Sequence, residues 1–87
     1  MTSLLSENII PGKRGKIFST NAKKSKDLLK IKNAILAITG VRDVKFNMEV
    51  FPKEFIVYTT LLVKVEDIEN EVKRFGFHAI PKGIFQL

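Results

Sequence analysis

The sequence has no cysteine and only one histidine in 87 residues. The first absence excludes disulfides, thiolate metal sites and cysteine nucleophiles together. The second leaves little for acid–base chemistry, because histidine is the side chain that most readily moves protons near neutral pH. The carboxylates do not fill the gap. Glu66, Asp67 and Glu69 cluster where a solvated helix start favours negative charge. No acid–base pair follows from spacing, so the expectation is a protein that is not an enzyme and uses no cofactor.

Long apolar runs are also lacking. No stretch approaches the roughly 18 apolar residues that a membrane span needs. Met1 to Ile10 contains Glu7 and lacks the basic start and apolar run of a secretory signal. These absences lead to the expectation of a cytoplasmic protein with no membrane insertion. A chain this short buries only about 60% of its unfolded surface, enough for one core. The expected organisation is a flexible N-terminal tail over residues 1–12 and one folded domain over residues 13–87.

What is present is an ordinary apolar share, 45%, and a net charge of +6. The charge is one-sided. Residues 1–41 carry Lys13, Arg14, Lys16, Lys23, Lys24, Lys26, Lys30 and Lys32 against Glu7 and Asp27. Residues 42–87 carry seven charges of each sign. A lopsided positive field favours anionic partners, such as an acidic protein, a phosphate or nucleic acid, although a lysine-rich face also serves solubility alone.

The local patterns place the elements. Pro11-Gly12 is a breaker pair that closes the tail, on which Ser3-Leu4-Leu5-Ser6 and Ile9-Ile10 are candidates for docking. Lys13 to Thr20 predicts a strand with Ile17 and Ser19 on one face and Phe18 on the other. Asn21 suits the turn that follows. Leu28, Ile31, Ile35 and Ile38 recur at helical spacing, so a helix is expected from about Ser25 to Thr39. Ser25 is its candidate cap, Asp27 suits its positive end, and Gly40 its stop. Lys23, Lys24 and Lys26 oppose the dipole, at a few tenths of a kcal/mol each.

Val44, Phe46 and Met48 alternate with Lys45 and Asn47 in a half-buried strand. Pro52 marks a hairpin, with Phe51 near its tip. Glu54 to Val63 is rich in β-branched and aromatic residues and predicts a third strand. Glu66 to Phe75 predicts a second helix, with Ile68, Val72 and Phe75 inward and Gly76 as its stop. Phe77 to Ile80 predicts the last strand. Two striped helices on one face of a four-stranded antiparallel sheet is the economical assembly. It is a ferredoxin-like βαββαβ sandwich in the α+β class.

Residues 16–80 resemble the heavy-metal-associated (HMA) domain of copper chaperones and metal-transporting ATPases. Ile31, Ala34, Ile35, Ile38, Gly40 and Val41 match the spacing of that family's first helix and its Gly-Val stop. Val44, Phe46 and Met48 match the following strand, and Val72, Gly76 and Phe77 the end of the second helix. The family's Met-x-Cys-x-x-Cys motif aligns on Ala22, Lys24 and Asp27. Two thiolates suit a soft cation such as Cu(I). An ammonium has no lone pair to give, and one carboxylate does not replace two sulfurs. The resemblance implies the fold, a degenerate metal site and a retained docking surface for an acidic protein. Lys23, Lys24, Lys26 and Lys30 would form that surface, joined by Lys82.

Four rival readings are weaker. Residual heavy-metal binding or transport would need His78, Asp27, Met48 or Met1 as ligands, and no two of these share a metal-ligand spacing. A small anion would sit at the helix start among Lys23, Lys24, Ser25 and Lys26, without a glycine-rich cradle. Nucleic acid would need Phe18, Phe55 or Tyr58 as stacking platforms, yet the Gly-rich aromatic signature of RNA-recognition domains is absent. For a homodimer or an added edge strand, the candidates are Phe51, Phe18 and Ile84-Phe85-Gln86-Leu87.

Overall fold

The computed structural model describes residues 8–12 and 14–82. The element order is β1 (Asn8–Ile9), β2 (Lys16–Thr20), α1 (Ser25–Leu36), β3 (Val41–Asn47), β4 (Lys53–Thr59), β5 (Val63–Lys64), α2 (Val65–Arg74) and β6 (Ala79–Pro81). A four-stranded antiparallel sheet runs in the order β3-β4-β2-β6, and β1 pairs with β5 in a separate two-stranded ribbon. The fold is ferredoxin-like α+β. Among the described residues no helix is long and apolar enough to cross a membrane.

Strand alternation decides which side of the sheet is covered. Phe18 lies opposite Phe55, which in turn lies opposite Phe46, and Val44 lies opposite Val57. Phe18, Phe55, Val44 and Val57 are fully buried. The Phe18 and Phe55 rings stack at 5.2 Å, and Phe46 meets Phe55 edge-on at 5.9 Å. Such pairs add to the hydrophobic burial of the rings themselves. Leu28, Ile31 and Ile35 of α1 and Val65, Ile68 and Val72 of α2 close this core from the helical side.

Several boundaries differ from the sequence reading, each for a local reason. Helix α1 ends at Leu36, because Ala37, Ile38 and Val41 bond back to Ala34, Ile35 and Ile38, three residues earlier, in tighter turns. Ile38 is therefore only partly buried against the core. Gly40 has φ +98°, and a Cβ there would lie 3.1 Å from Leu61 Cβ. Glycine permits both the angle and the approach. The expected long third strand breaks at Thr60, whose amide donates to the Gly40 carbonyl at 2.8 Å. Val63 then pairs with Ile9 instead of continuing the ladder.

Ile9, assigned to a tail by sequence, is 1% exposed and belongs to the core. Met48, expected inside, is 43% exposed, because the ladder stops at Asn47 and alternation carries no meaning in the turn beyond it. Helix α2 begins one residue early, at buried Val65, and ends before Phe75, which packs only partly. The last strand is Ala79–Pro81 and not Phe77–Ile80. Strand β2 begins at Lys16, after Gly15, which has φ +70° and faces Val57 O. Ser3 to Ser6, Lys13 and Ile84 to Leu87 lie outside the described residues.

Candidate functional site

Register brings three loops to one end of the sandwich. Thr20 lies opposite Lys53 on one side and Ala79 on the other. The turn from β2 into α1, the β3–β4 hairpin and the stretch before β6 therefore gather around residues 21–24. The clearest tie between them is a single hydrogen bond: the His78 amide donates to Asn21 Oδ1 at 2.8 Å. The hairpin is held by its own polar groups. The Glu49 amide donates to Asn47 Oδ1, and Lys53 Nζ reaches the Met48 carbonyl at 3.4 Å.

The lysine-rich turn opens into α1 without a side-chain cap. Lys24 occupies the N-cap with extended backbone, φ −79° and ψ 139°, and makes no capping side-chain bond. Ser25 is the first helical residue and not the cap, because the first helical bond runs from the Leu28 amide to the Lys24 carbonyl. Lys23, Lys24, Ser25, Lys26 and Lys30 are all exposed. Lys23 Nζ stands 5.5 Å from the centroid of the Phe51 ring. Phe51 is 81% exposed. Held over the ring face, the ammonium is attracted by its quadrupole, so the rim carries an apolar anchor beside its positive charge.

The three motif positions do not converge on a cation. Ala22 is buried in the core, and its amide donates to Thr20 Oγ1 at 3.3 Å. Lys24 points into solvent, and Asp27 is half-buried in the first turn of α1. Among the described residues no group of three His, Cys, Asp or Glu side chains is placed to hold a metal. Methyl, ammonium and a single carboxylate do not fit a soft cation that prefers thiolates.

The other sequence candidates fall elsewhere. Phe18 and Phe55 are fully buried and stack on each other, so neither offers a face to a base. Tyr58 lies on the outer face of the sheet, with Arg42 at 5.4 Å and Lys45 at 5.8 Å from its ring. Lys82 bonds Glu54 at 2.7 Å, so its ammonium is engaged on that outer face and does not extend the lysine rim. The Asn21–His78 link and the Lys23–Phe51 contact are absent from the sequence reading. Asn21 is legible as a turn residue, but nothing local marks a partner 57 positions away.

With this geometry in view, the chain can be set beside known proteins. No family model matches the sequence, and no curated protein does. One solved structure that it resembles is the apo form of the HMA domain of copper chaperone for superoxide dismutase. That match has a TM-score of 0.63 at 22% identity, over 100% of this chain and 85% of the other. The fold is HMA-like. At that identity the likeness speaks for the backbone arrangement, and this chain has no cysteine with which to build a thiolate site.

Proposed function

We propose that this chain is a non-catalytic, HMA-like interaction module that docks an acidic protein partner through the loop end of its sandwich. The metal cargo of similar domains is lost. The observation that supports this reading most directly is the rim itself: Lys23, Lys24 and Lys26 exposed around a helix start, with Lys23 laid over the exposed ring of Phe51. Lys30 extends the rim one turn along α1. Charges steer and orient a partner while an aromatic ring supplies desolvated contact area, the usual division of labour at interfaces. A soluble cytoplasmic setting accords with this reading.

The test is charge reversal. Changing Lys23, Lys24 and Lys26 together to Glu abolishes capture of acidic partners by the immobilised domain. Phe51→Ala weakens capture without changing its salt dependence. A partner set that survives the triple reversal sinks the proposal. Cu(I) and Zn(II) titrations followed by amide NMR address residual metal binding, with no shifts expected near Asp27 or His78.

A second reading has one observation in its favour. The N-cap of α1 makes no side-chain bond to the first turn, and free amides at a helix start are the groups that small anions use. Phosphate titration would then move the amide signals of residues 22–27. Flat signals at millimolar phosphate dismiss it.

A further inference from the structure

The sheet has one long free edge. Strand β3 is its outermost member, and among the described residues nothing pairs with its open side. Unpaired edges invite strand addition, and proteins commonly guard them. Here the guard is specific: the Val44 amide donates to Oδ1 of its own neighbour Asp43 at 2.8 Å. The alternation of the antiparallel ladder beyond the bulge leaves this amide on the side away from β4, where the Asp43 carboxylate covers it and Val44 is fully buried until that side chain moves. The opposite edge is poorer, since β6 spans three residues and ends in Pro81, which has no amide to give.

We propose that β3 pairs antiparallel with β3 of a second copy, across a two-fold axis through Val44, to make one continuous eight-stranded sheet. Charge selects this register. A two-fold axis perpendicular to the sheet keeps outer-face residues opposite outer-face residues. Asp43 and Lys45 lie on the outer face, opposite Tyr58 and Ile56 in their own ladder. An axis through Asp43 would set that carboxylate against its copy. One through Lys45 would set ammonium against ammonium. The axis through Val44 places each Asp43 against the other copy's Lys45, twice.

Pairing exchanges one set of bonds for another. Each Val44 amide leaves its carboxylate for the carbonyl of Val44 in the other copy, and each freed carboxylate meets an ammonium. Arg42, at the bulge between Val41 and Asp43, keeps its guanidinium over Tyr58. This surface is separate from the lysine rim, so its failure leaves the docking proposal standing.

Sedimentation equilibrium of the full chain tests the inference, with circular dichroism as a check on folding. The wild type self-associates, reversibly, below about 1 mM. Asp43→Lys and Lys45→Asp each weaken association about tenfold, because two opposite-charge pairs become like-charge pairs. An equimolar mixture of the two variants regains wild-type association. One variant is basic at both positions and the other acidic at both, so the mixed pair restores both attractions. A wild type that stays monomeric at that concentration overturns the inference. So does association that either variant leaves unchanged, or a mixture no tighter than its components.

Discussion

Thr59 is the residue whose chemistry fits its place least well. Its side-chain oxygen is buried and, among the described residues, has no hydrogen-bond partner. An unsatisfied buried hydroxyl forfeits its hydration for nothing. Thr59→Val keeps the shape and removes the oxygen, so it stabilises the fold by about 1 kcal/mol. Urea unfolding checks this, with a higher midpoint at unchanged slope. Lys16 sits against its chemistry for a different reason, the burial of a charge. It shares the inner face with Phe18 and Thr20 and is nearly buried. Burial disfavours its charged form and lowers its pKa. The unfolded chain therefore binds this proton more tightly than the folded one. The cost is fully present below the folded pKa and is relieved as pH rises through the unfolded value. Wild-type stability accordingly rises with alkaline pH relative to Lys16→Met, in the range just below the ordinary lysine pKa. Urea midpoints of the two proteins that move in parallel across that range would refute this.

At the level of elements, local periodicity is a good guide wherever one face of an element is buried. The stripe of Leu28, Ile31 and Ile35 and that of Ile68 and Val72 are visible in sequence because packing against the sheet demands them. The errors lie where a pattern runs past the bonds that give it meaning. Met48 continues the alternation of β3 into a turn, and Val63 continues the β-rich run after the chain has already bent at Thr60. The β1–β5 ribbon is illegible for a different reason. Two residues make no period, and the partners lie more than fifty positions apart. Its energetic weight is nonetheless real, because Ile9 is as buried as the helix stripes. Ile9→Ala should cost about 2–5 kcal/mol, the usual range for a buried Ile truncation. Thermal unfolding reads it. An unchanged midpoint would return this segment to the status of a tail.

For the molecule as a whole, charge and fold carry different amounts of information. The basic half of the chain is plain in the sequence, and three of its lysines do gather at one end. Their setting is not plain, because Phe51, Asn21 and His78 reach that end only through the register of β2 with its two neighbours. Lys82 shows the converse. It counts toward the same total charge, but Glu54 neutralises it on the opposite side of the strand plane. Net charge therefore states how strongly anions are attracted, and only the arrangement of strands states where.

The bond from His78 to Asn21 bears on the thermodynamics of any encounter at this end. It fastens the segment leading into the last strand to the segment leading into the first helix, so neither can wander alone. A ligand arriving there meets a surface whose shape is already set, and less ordering entropy must be surrendered on contact. Severing that tether with Asn21→Ala would leave every lysine in place and still blunt recognition.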